Sequence, residues 1–303
     1  MRKNILDRLD ELAVFVAVLD SGSLVGAARR LRRSPPSVTR ALSALEARLG
    51  ARLIERTTRK LTPTELGGRV ATDARRALSA YAEAIRPSVD FSPRGLLRIT
   101  APLIFGRRHV TPAVASFLDL YPAMRAELVL ADRYQDLLDE GLDVALRIGP
   151  PLESLPKPHR LGEVRRIVVA APAYLAAHGT PREPPELARH AVVHVVGRPL
   201  PSEWRFRAGR RERVVRLNPR LMVNEIEAAL VAARAGHGIT RVLSYQVADE
   251  LRAGALVRLL RAYEPPPLPV TLVAASSEPP ARVRAFLEHA TTVLSVLPLV
   301  QPE

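Results

Sequence analysis

The stretch Arg32–Gly50, "RRSPPSVTRALSALEARLG", decides how the rest of the chain is read, because it has helical periodicity behind two consecutive prolines. Ser34 suits an N-cap. Pro35 and Pro36 fall in the first turn, whose N–H groups have no intrahelical acceptor, so they start a helix rather than break one. At 100° per residue Val38, Leu42, Leu45 and Leu49 lie within about 60° of one another and predict a narrow buried stripe. Pro36, Arg40, Ser43 and Ala47 fall opposite, with Ser37 and Thr39 on the flanks. That outer face is slim and carries one arginine near its start, a shape that enters a major groove about 12 Å wide without obstruction. Gly50 allows a left-handed helix end.

The flanking sequence gives this helix a setting. Upstream, Ile5, Leu9, Leu12, Phe15, Val16 and Leu19 predict a helix over 5–20, closed by Ser21-Gly22. Ser23 is placed to cap a second, short helix with the stripe Leu24, Ala27, Ala28 and Leu31, set beside the basic residues Arg29, Arg30, Arg32 and Arg33. Downstream, Ala51–Arg56 reads as a strand, Thr57–Lys60 as a tip and Leu61-Thr62 as the return, which makes a wing. Its tip offers Arg56, Arg59 and Lys60 to phosphates, and Thr57 and Thr58 as hydroxyl donors. The whole run Ser23–Gly67, ordered and without gaps, resembles the winged helix-turn-helix signature of the LysR-type transcriptional regulators. The resemblance includes Ala27-Ala28, Leu45-Glu46 with Leu49-Gly50, Arg56-Thr57-Thr58-Arg59 and the Thr64-Glu65-Leu66-Gly67 closure. Two positions depart from it: Pro35, where the family often has Gln, and Thr39, where it often has Ser. Loss of the Gln amide removes a bidentate partner for adenine, so the resemblance carries DNA binding but not the operator sequence. The residues expected to meet double-stranded DNA are Ser34, Pro35, Pro36, Ser37, Thr39, Arg40, Ser43, Arg56, Thr57, Thr58, Arg59 and Lys60.

Thr64 can cap a long helix over 65–88, in which Val70, Ala74, Ala77, Tyr81 and Ala84 alternate in steps of four and three. The residues leave two readings open, a coiled-coil seam or an amphipathic helix packed on its own domain. The family resemblance implies the first: a linker helix for a homodimer whose two recognition helices address two half-sites, with pairing into a homotetramer and RNA polymerase as a further partner. Pro87 and Ser92-Pro93-Arg94-Gly95 then form a hinge.

From Leu96 the pattern changes to βαβ rhythm. Strands are expected at Leu96–Thr100, Arg125–Ala131, Leu142–Gly149, Arg166–Ala171, Ala191–Val196, Arg213–Leu217, Gly238–Thr240 and Val270–Ala275. Helices are expected at Val110–Leu120, Tyr134–Glu140, Pro172–His178, Glu225–Arg234 and Pro280–Leu297. The pattern resembles the family's effector-binding module, two α/β subdomains of periplasmic-binding-protein type, crossed near 162–166 and 266–270. The predicted fold class is therefore α/β with an all-α-dominated N-terminal domain. Residues 1–63 form the winged module, 64–94 the linker and hinge, and 95–303 the effector domain, divided into 95–165 with 268–303 and 166–267. A ligand would lie at the C-terminal ends of strands. The positions that match the family's pocket are Thr100, Ala101, Pro102, Leu103, Gly149, Val196, Asn224, Glu225, His237, Gly238 and Ile239. The Thr100 hydroxyl and the backbone at Leu103 are candidates to hold a carboxylate, and Arg241 to supply a cation for an anionic effector; the same residues also suit caps and turns.

Composition bounds the alternatives. The net charge is +14, and residues 1–90, with 17 basic and 10 acidic residues, carry half of it in less than a third of the chain. This excess points to a polyanion, although almost all the basic residues are Arg, a usage that a GC-rich genome also produces. Zero cysteines exclude disulfides, thiolate nucleophiles and cysteine-held metals. No Gly-x-Ser-x-Gly elbow, Walker loop or Gly-x-Gly-x-x-Gly turn occurs, so no enzyme and no cofactor is expected. His190 and His194 would share one face of a strand with no third ligand evident, and no metal is expected. Asp132, Asp136, Asp139, Glu140 and Asp143 read as a solvated helix face. No long apolar run occurs, so no membrane partner and a cytoplasmic location are expected. The function expected is a sequence-specific transcriptional regulator modulated by a small-molecule effector. The alternative is a small-molecule receptor with only non-specific DNA affinity.

Overall fold

The structure, a computed structural model, describes residues 3–56, 61–84, 92–133, 135–151, 156–196, 203–209 and 211–297. The N-terminal module comprises α1 (Lys3–Ser21), α2 (Leu24–Leu31), α3 (Pro35–Leu49), the strands β1 (Ile54–Arg56) and β2 (Leu61–Pro63), and the long α4 (Glu65–Ala84). Phe15, Val18, Ala27, Val38, Leu42 and Leu53 meet in its core. Ser23 caps α2 by accepting from the Gly26 N–H at 2.9 Å. Gly50 ends α3 at φ +66°, in the left-handed region that glycine enters without a Cβ clash. The stripe expected on α3 is one residue shorter than its periodicity suggests, for Leu49 is 45% exposed. Beyond the Gly50 turn, Leu53 is fully buried in the same core instead.

At Gly67 the start of α4 presses on the strand entry: a Cβ there would stand 2.0 Å from the Leu53 carbonyl oxygen, so no side chain fits. The seam expected along α4 is divided. Ala74 is buried within its own chain, beside the buried Ala71, whereas Ala77 and Tyr81 are exposed. The wing tip Thr57–Lys60 and the hinge proline Pro87 lie outside the described residues.

The remainder contains β3 (Gly95–Ala101), α5 (Leu103–Phe105) continuing through a wide turn at Gly106–Val110 into α6 (Thr111–Leu120), β4 (Met124–Leu130), β5 (Val144–Ile148), β6 (His159–Val164), β7 (Arg166–Ala170), α7 (Pro172–His178), β8 (Val193–Val195), β9 (Glu203–Ala208), β10 (Arg211–Arg216), β11 (Leu221–Val223), α8 (Ile226–Arg234), β12 (Thr240–Leu243), α9 (Ala248–Arg252), β13 (Val257–Leu259), β14 (Leu268–Ala274) and α10 (Ala281–Leu294). One sheet has the order β4-β3-β5-β14-β6, with β3 parallel to β4 and β5, and β14 antiparallel to both its neighbours. Helices α6 and α10 cover it, and Phe117 meets Phe286 edge to face at 5.3 Å. The second sheet, β12-β7-β13, is antiparallel, and the parallel pair β8-β11 joins it through the Val192–Ile239 bridge. The chain crosses between sheets at the β6–β7 junction and returns ahead of β14.

Several sequence expectations need correction. Residues 135–140 form turns rather than a helix, because the Asp136 carboxylate accepts from the Leu138 and Asp139 N–H groups at 2.8 and 3.1 Å and closes a tight turn. The acidic residues there share no face: Asp143 accepts from the Arg98 N–H at 2.9 Å, and Glu140 from Gln135 at 2.7 Å. The strand expected at Gly238–Thr240 starts at Thr240, since Gly238, at φ +143°, is in a turn. Strands β6, β9, β11 and β13 escaped prediction: β6, β9 and β13 are interrupted by charged residues, and β11, though apolar throughout, is only three residues long. Among the described residues no helix is long and apolar enough to cross a membrane.

Candidate nucleic-acid face and ligand cleft

Helix α3 presents the face its wheel predicts. Ser34, Pro35, Pro36, Arg40 and Ser43 are exposed, and Ser37 and Thr39 are half-buried. The Ser34 side chain makes no capping bond; its carbonyl instead accepts from the Ser37 and Val38 N–H groups at 3.0 and 3.2 Å. Thr39 donates its hydroxyl proton to the Pro35 carbonyl at 3.1 Å. Arg40 has no hydrogen bond or ion pair among the described residues, whereas Arg33 forks onto Asp10 at 2.6 and 2.7 Å and Arg48 donates to Glu11 at 2.7 Å. The basic run before α3 is therefore partly spent on internal carboxylates, a partnership that the sequence did not reveal. Glu46 has a positioning role: its carboxylate accepts from the Leu53 and Ile54 N–H groups at 2.8 and 3.3 Å, fixing where the wing leaves the helix. Of the expected wing contacts, Arg56 closes β1 opposite Leu61, while Thr57, Thr58, Arg59 and Lys60 are outside the described residues.

A cavity of about 750 Å³ lies between the two sheets. Of the expected effector positions, Thr100, Ala101, Pro102, Gly149, Val196 and Asn224 line it, as does Arg241. Leu103, Glu225, His237, Gly238 and Ile239 do not. The Glu225 carboxylate caps α8, accepting from the Glu227 and Ala228 N–H groups at 3.0 Å each. His237 is exposed outside the cavity. Gly238 lies so close to Ala191 that a Cβ would come within 2.4 Å of its carbonyl oxygen, and the Ile239 N–H donates to that oxygen at 2.9 Å. This turn holds the second sheet together and contributes no wall.

The two walls differ chemically. On the first-sheet side the donors expected for a carboxylate are already engaged: the buried Thr100 hydroxyl donates to Gln135, and the Leu103 N–H donates to the Asp132 carboxylate at 2.9 Å. On the second-sheet side stand Arg166 of β7 and Arg241 of β12. Leu243 pairs with Arg166 and Arg241 with Val168, so the two arginines are diagonal neighbours on one face of the sheet. Arg241 stacks over Trp204 at 5.1 Å, and its one hydrogen bond among the described residues is to the Arg205 carbonyl at 3.4 Å. Arg166 has no side-chain partner among the described residues. Burial, reinforced by the neighbouring charge of Arg166, pushes the Arg241 guanidinium down to about 9, and burial lowers Arg166 as well. Trp204 donates to His194 Nδ1 at 3.3 Å, and burial together with Arg241 lowers that imidazole. The bond places the proton of the neutral ring on Nε2. His190 is not in the strand with His194; its Nδ1 meets the Tyr174 hydroxyl at 3.2 Å. Among the described residues no group of three metal-binding side chains occurs. Sequence reading found Arg241 but missed Arg166, Trp204 and Asp132, because only the β7–β12 register and the chain crossing bring them together.

Comparison with known proteins agrees with this layout. Residues 9–68 match the bacterial regulatory helix-turn-helix protein family of lysR type, and residues 92–295 match the LysR substrate binding domain. The HTH-type transcriptional regulator PtxR of Pseudomonas aeruginosa is 34% identical over 283 residues, covering 92% of this chain and 91% of its own. The HTH-type transcriptional activator TtdR of Escherichia coli K12 is 30% identical over 256 residues, covering 84% and 83%. Among solved structures, CrgA, a LysR-type transcriptional regulator from Neisseria meningitidis, superposes with a TM-score of 0.59 at 30% identity, covering 94% of this chain and 98% of its own. Full-length AphB, the Vibrio cholerae virulence activator, does so with a TM-score of 0.61 at 28% identity, covering 94% and 99%.

Proposed function

The chain belongs to the LysR family of bacterial transcriptional regulators, and we propose that it reads its operator with the exposed face of α3 while an anionic small molecule in the cleft sets its activity. The observation that carries this reading is Arg40: it stands unpaired among the described residues on a slim exposed face, anchored from behind by Val38, Leu42 and Leu45. In this reading Ser34, Pro35, Pro36, Ser37, Thr39, Arg40 and Ser43 meet the groove, and Arg56 to Lys60 meet the flanking phosphates. Residues 1–63 serve as the DNA-binding module, 64–94 as linker and 95–303 as effector module. The exposed half of α4, with Ala77 and Tyr81, supplies the dimer seam, two dimers pair into a tetramer, and RNA polymerase is met by the assembled form. The protein works in the cytoplasm by binding rather than catalysis.

Selection of the preferred duplex from random DNA, followed by competition against random duplex at physiological salt, tests this. The selected operator should win by at least ~10³. Equal affinity for both would favour the alternative, a small-molecule receptor with only non-specific attraction to DNA.

A further inference from the structure

We propose that the cleft holds its ligand's anionic group on the second-sheet wall, between Arg166 and Arg241, and that the ligand is an organic carboxylate whose apolar body lies against Pro150, Pro151, Pro156 and Pro158. The inference rests on reading the cleft as the effector site, and it names both the wall that binds the charge and the class of molecule bound.

On the first-sheet wall the donors are already engaged: Arg133 pairs with Glu140 at 3.1 Å, and Arg147 donates to the Gln135 carbonyl. The Leu103 N–H already donates to Asp132 and the Thr100 hydroxyl to Gln135, so an incoming carboxylate would meet a like charge where it needs donors. The second-sheet wall has the opposite deficit. Two guanidinium groups share one sheet face as diagonal neighbours, and among the described residues neither forms an ion pair with a carboxylate. Like charges so placed repel, and partly dehydrated ones do so with little screening. An arginine does not relieve this by losing its proton; it does so by gaining an anion. Stacking on Trp204 holds the Arg241 fork in place before the ligand arrives, which lowers the ordering cost of binding.

The rest of the lining sets the class. Besides polar groups such as Asn224, Gln246 and Thr271, the lining has an apolar part, the four prolines with Ile148 and Ile226, none of which offers a side-chain donor. A ligand polar over its whole surface would lose hydration there without compensation, whereas an acid with an apolar body would not. A volume of about 750 Å³ admits such a molecule.

Trp204 is the only tryptophan of the chain, so its emission reports on this wall. The test titrates the full chain with benzoate and hexanoate at constant ionic strength, using benzamide as the uncharged control and calorimetry as a second readout. Both acids should saturate and benzamide should not. Arg166→Gln and Arg241→Gln should each weaken the acids by roughly tenfold or more, the effect of losing one charge-assisted hydrogen bond, whereas Asp132→Asn should retain binding. Failure of both acids to saturate, saturation by benzamide equal to benzoate, or unchanged affinity in both arginine variants would overturn the proposal. The benzamide comparison requires no variant to fold. Footprints on the selected operator separate this result from the regulatory reading. A footprint that shifts with acid in wild type and in both variants keeps effector control and overturns the arginine assignment. Arginine-dependent binding with an unmoved footprint keeps the assignment and removes effector control.

Discussion

The face of α3 and the second-sheet wall of the cleft both aim arginine at something absent from the folded chain, but they do so in opposite dielectric surroundings. Arg40 is exposed, so its charge stays in contact with solvent and costs folding little. Arg166 and Arg241 are half-buried and repel each other. The contrast follows from the partner. DNA is a long polyanion whose field reaches an exposed cation and whose phosphates release counterions on contact. A small acid offers one group, so a site can single it out only where water has already been thinned and the charge is strong. The regions also have separate cores, one around Phe15 and Leu42 and others beneath the two sheets.

The largest test of that separation is Leu42→Ala. Leu42 is 1% exposed at the centre of the N-terminal core, and its truncation should cost about 2–5 kcal/mol. Denaturation followed by far-ultraviolet circular dichroism should then split into two transitions, the earlier one carrying the loss of operator binding. Trp204 emission, which reports only on the cleft, should melt where the wild type does. A Trp204 midpoint that moves with the first transition would mean that the two regions fold as one unit, coupled through contacts such as the Thr72 hydroxyl to the Asp139 carbonyl at 3.3 Å.

Sequence reading succeeded and failed along the same divide. The α3 face depends on neighbours in sequence: the proline start, the stripe at steps of three and four, and Gly50 are all local, and α3 spans Pro35–Leu49 as they imply. Within this module it missed what depends on a partner far along the chain, such as Arg33 forking onto Asp10. The cleft is the reverse case. Thr100 and Asn224 line it, yet the wall chemistry depends on the register that sets Arg241 against Val168 and on Asp132 reaching Leu103 from another loop. Neither relation leaves a periodic trace. The turn at His237 was misplaced because a glycine signals a bend but not which side of the sheet the bend occupies.

A second test sets the arginines against each other. Arg40→Ala should leave stability within about 0.5 kcal/mol, as surface changes usually do, yet cost about 1–3 kcal/mol at the base pair it reads and relax preference there. Arg241→Met should do the opposite: it removes a poorly compensated cation from the cleft and should stabilise the unliganded protein by about 1 kcal/mol while weakening carboxylate binding. Thermal melts with and without benzoate, together with duplex selection on Arg40→Ala, give all four answers. Destabilisation by Arg241→Met without ligand would mean that its stacking on Trp204 outweighs its charge.

The smallest effect is also the most local. Burial first, and the charge of Arg241 second, hold the His194 imidazole below its ordinary value. A histidine lowered on folding binds its proton more readily in the unfolded chain. Its contribution to stability is therefore complete above the ordinary value, about 6.5, and declines as pH falls through that value until the folded group also protonates. Burial lowers His109 and His190 as well, so a bulk stability curve sums over several rings, and the test is a site-resolved NMR titration. Arg241→Met should raise the His194 midpoint part of the way back and leave the share due to burial. Benzoate bound to the wild type should move it in the same direction, because an anion beside Arg241 offsets the charge that the imidazole feels. A midpoint that responds to the substitution but not to saturating benzoate would place the bound carboxylate away from Arg241, even if the acid occupies the cleft.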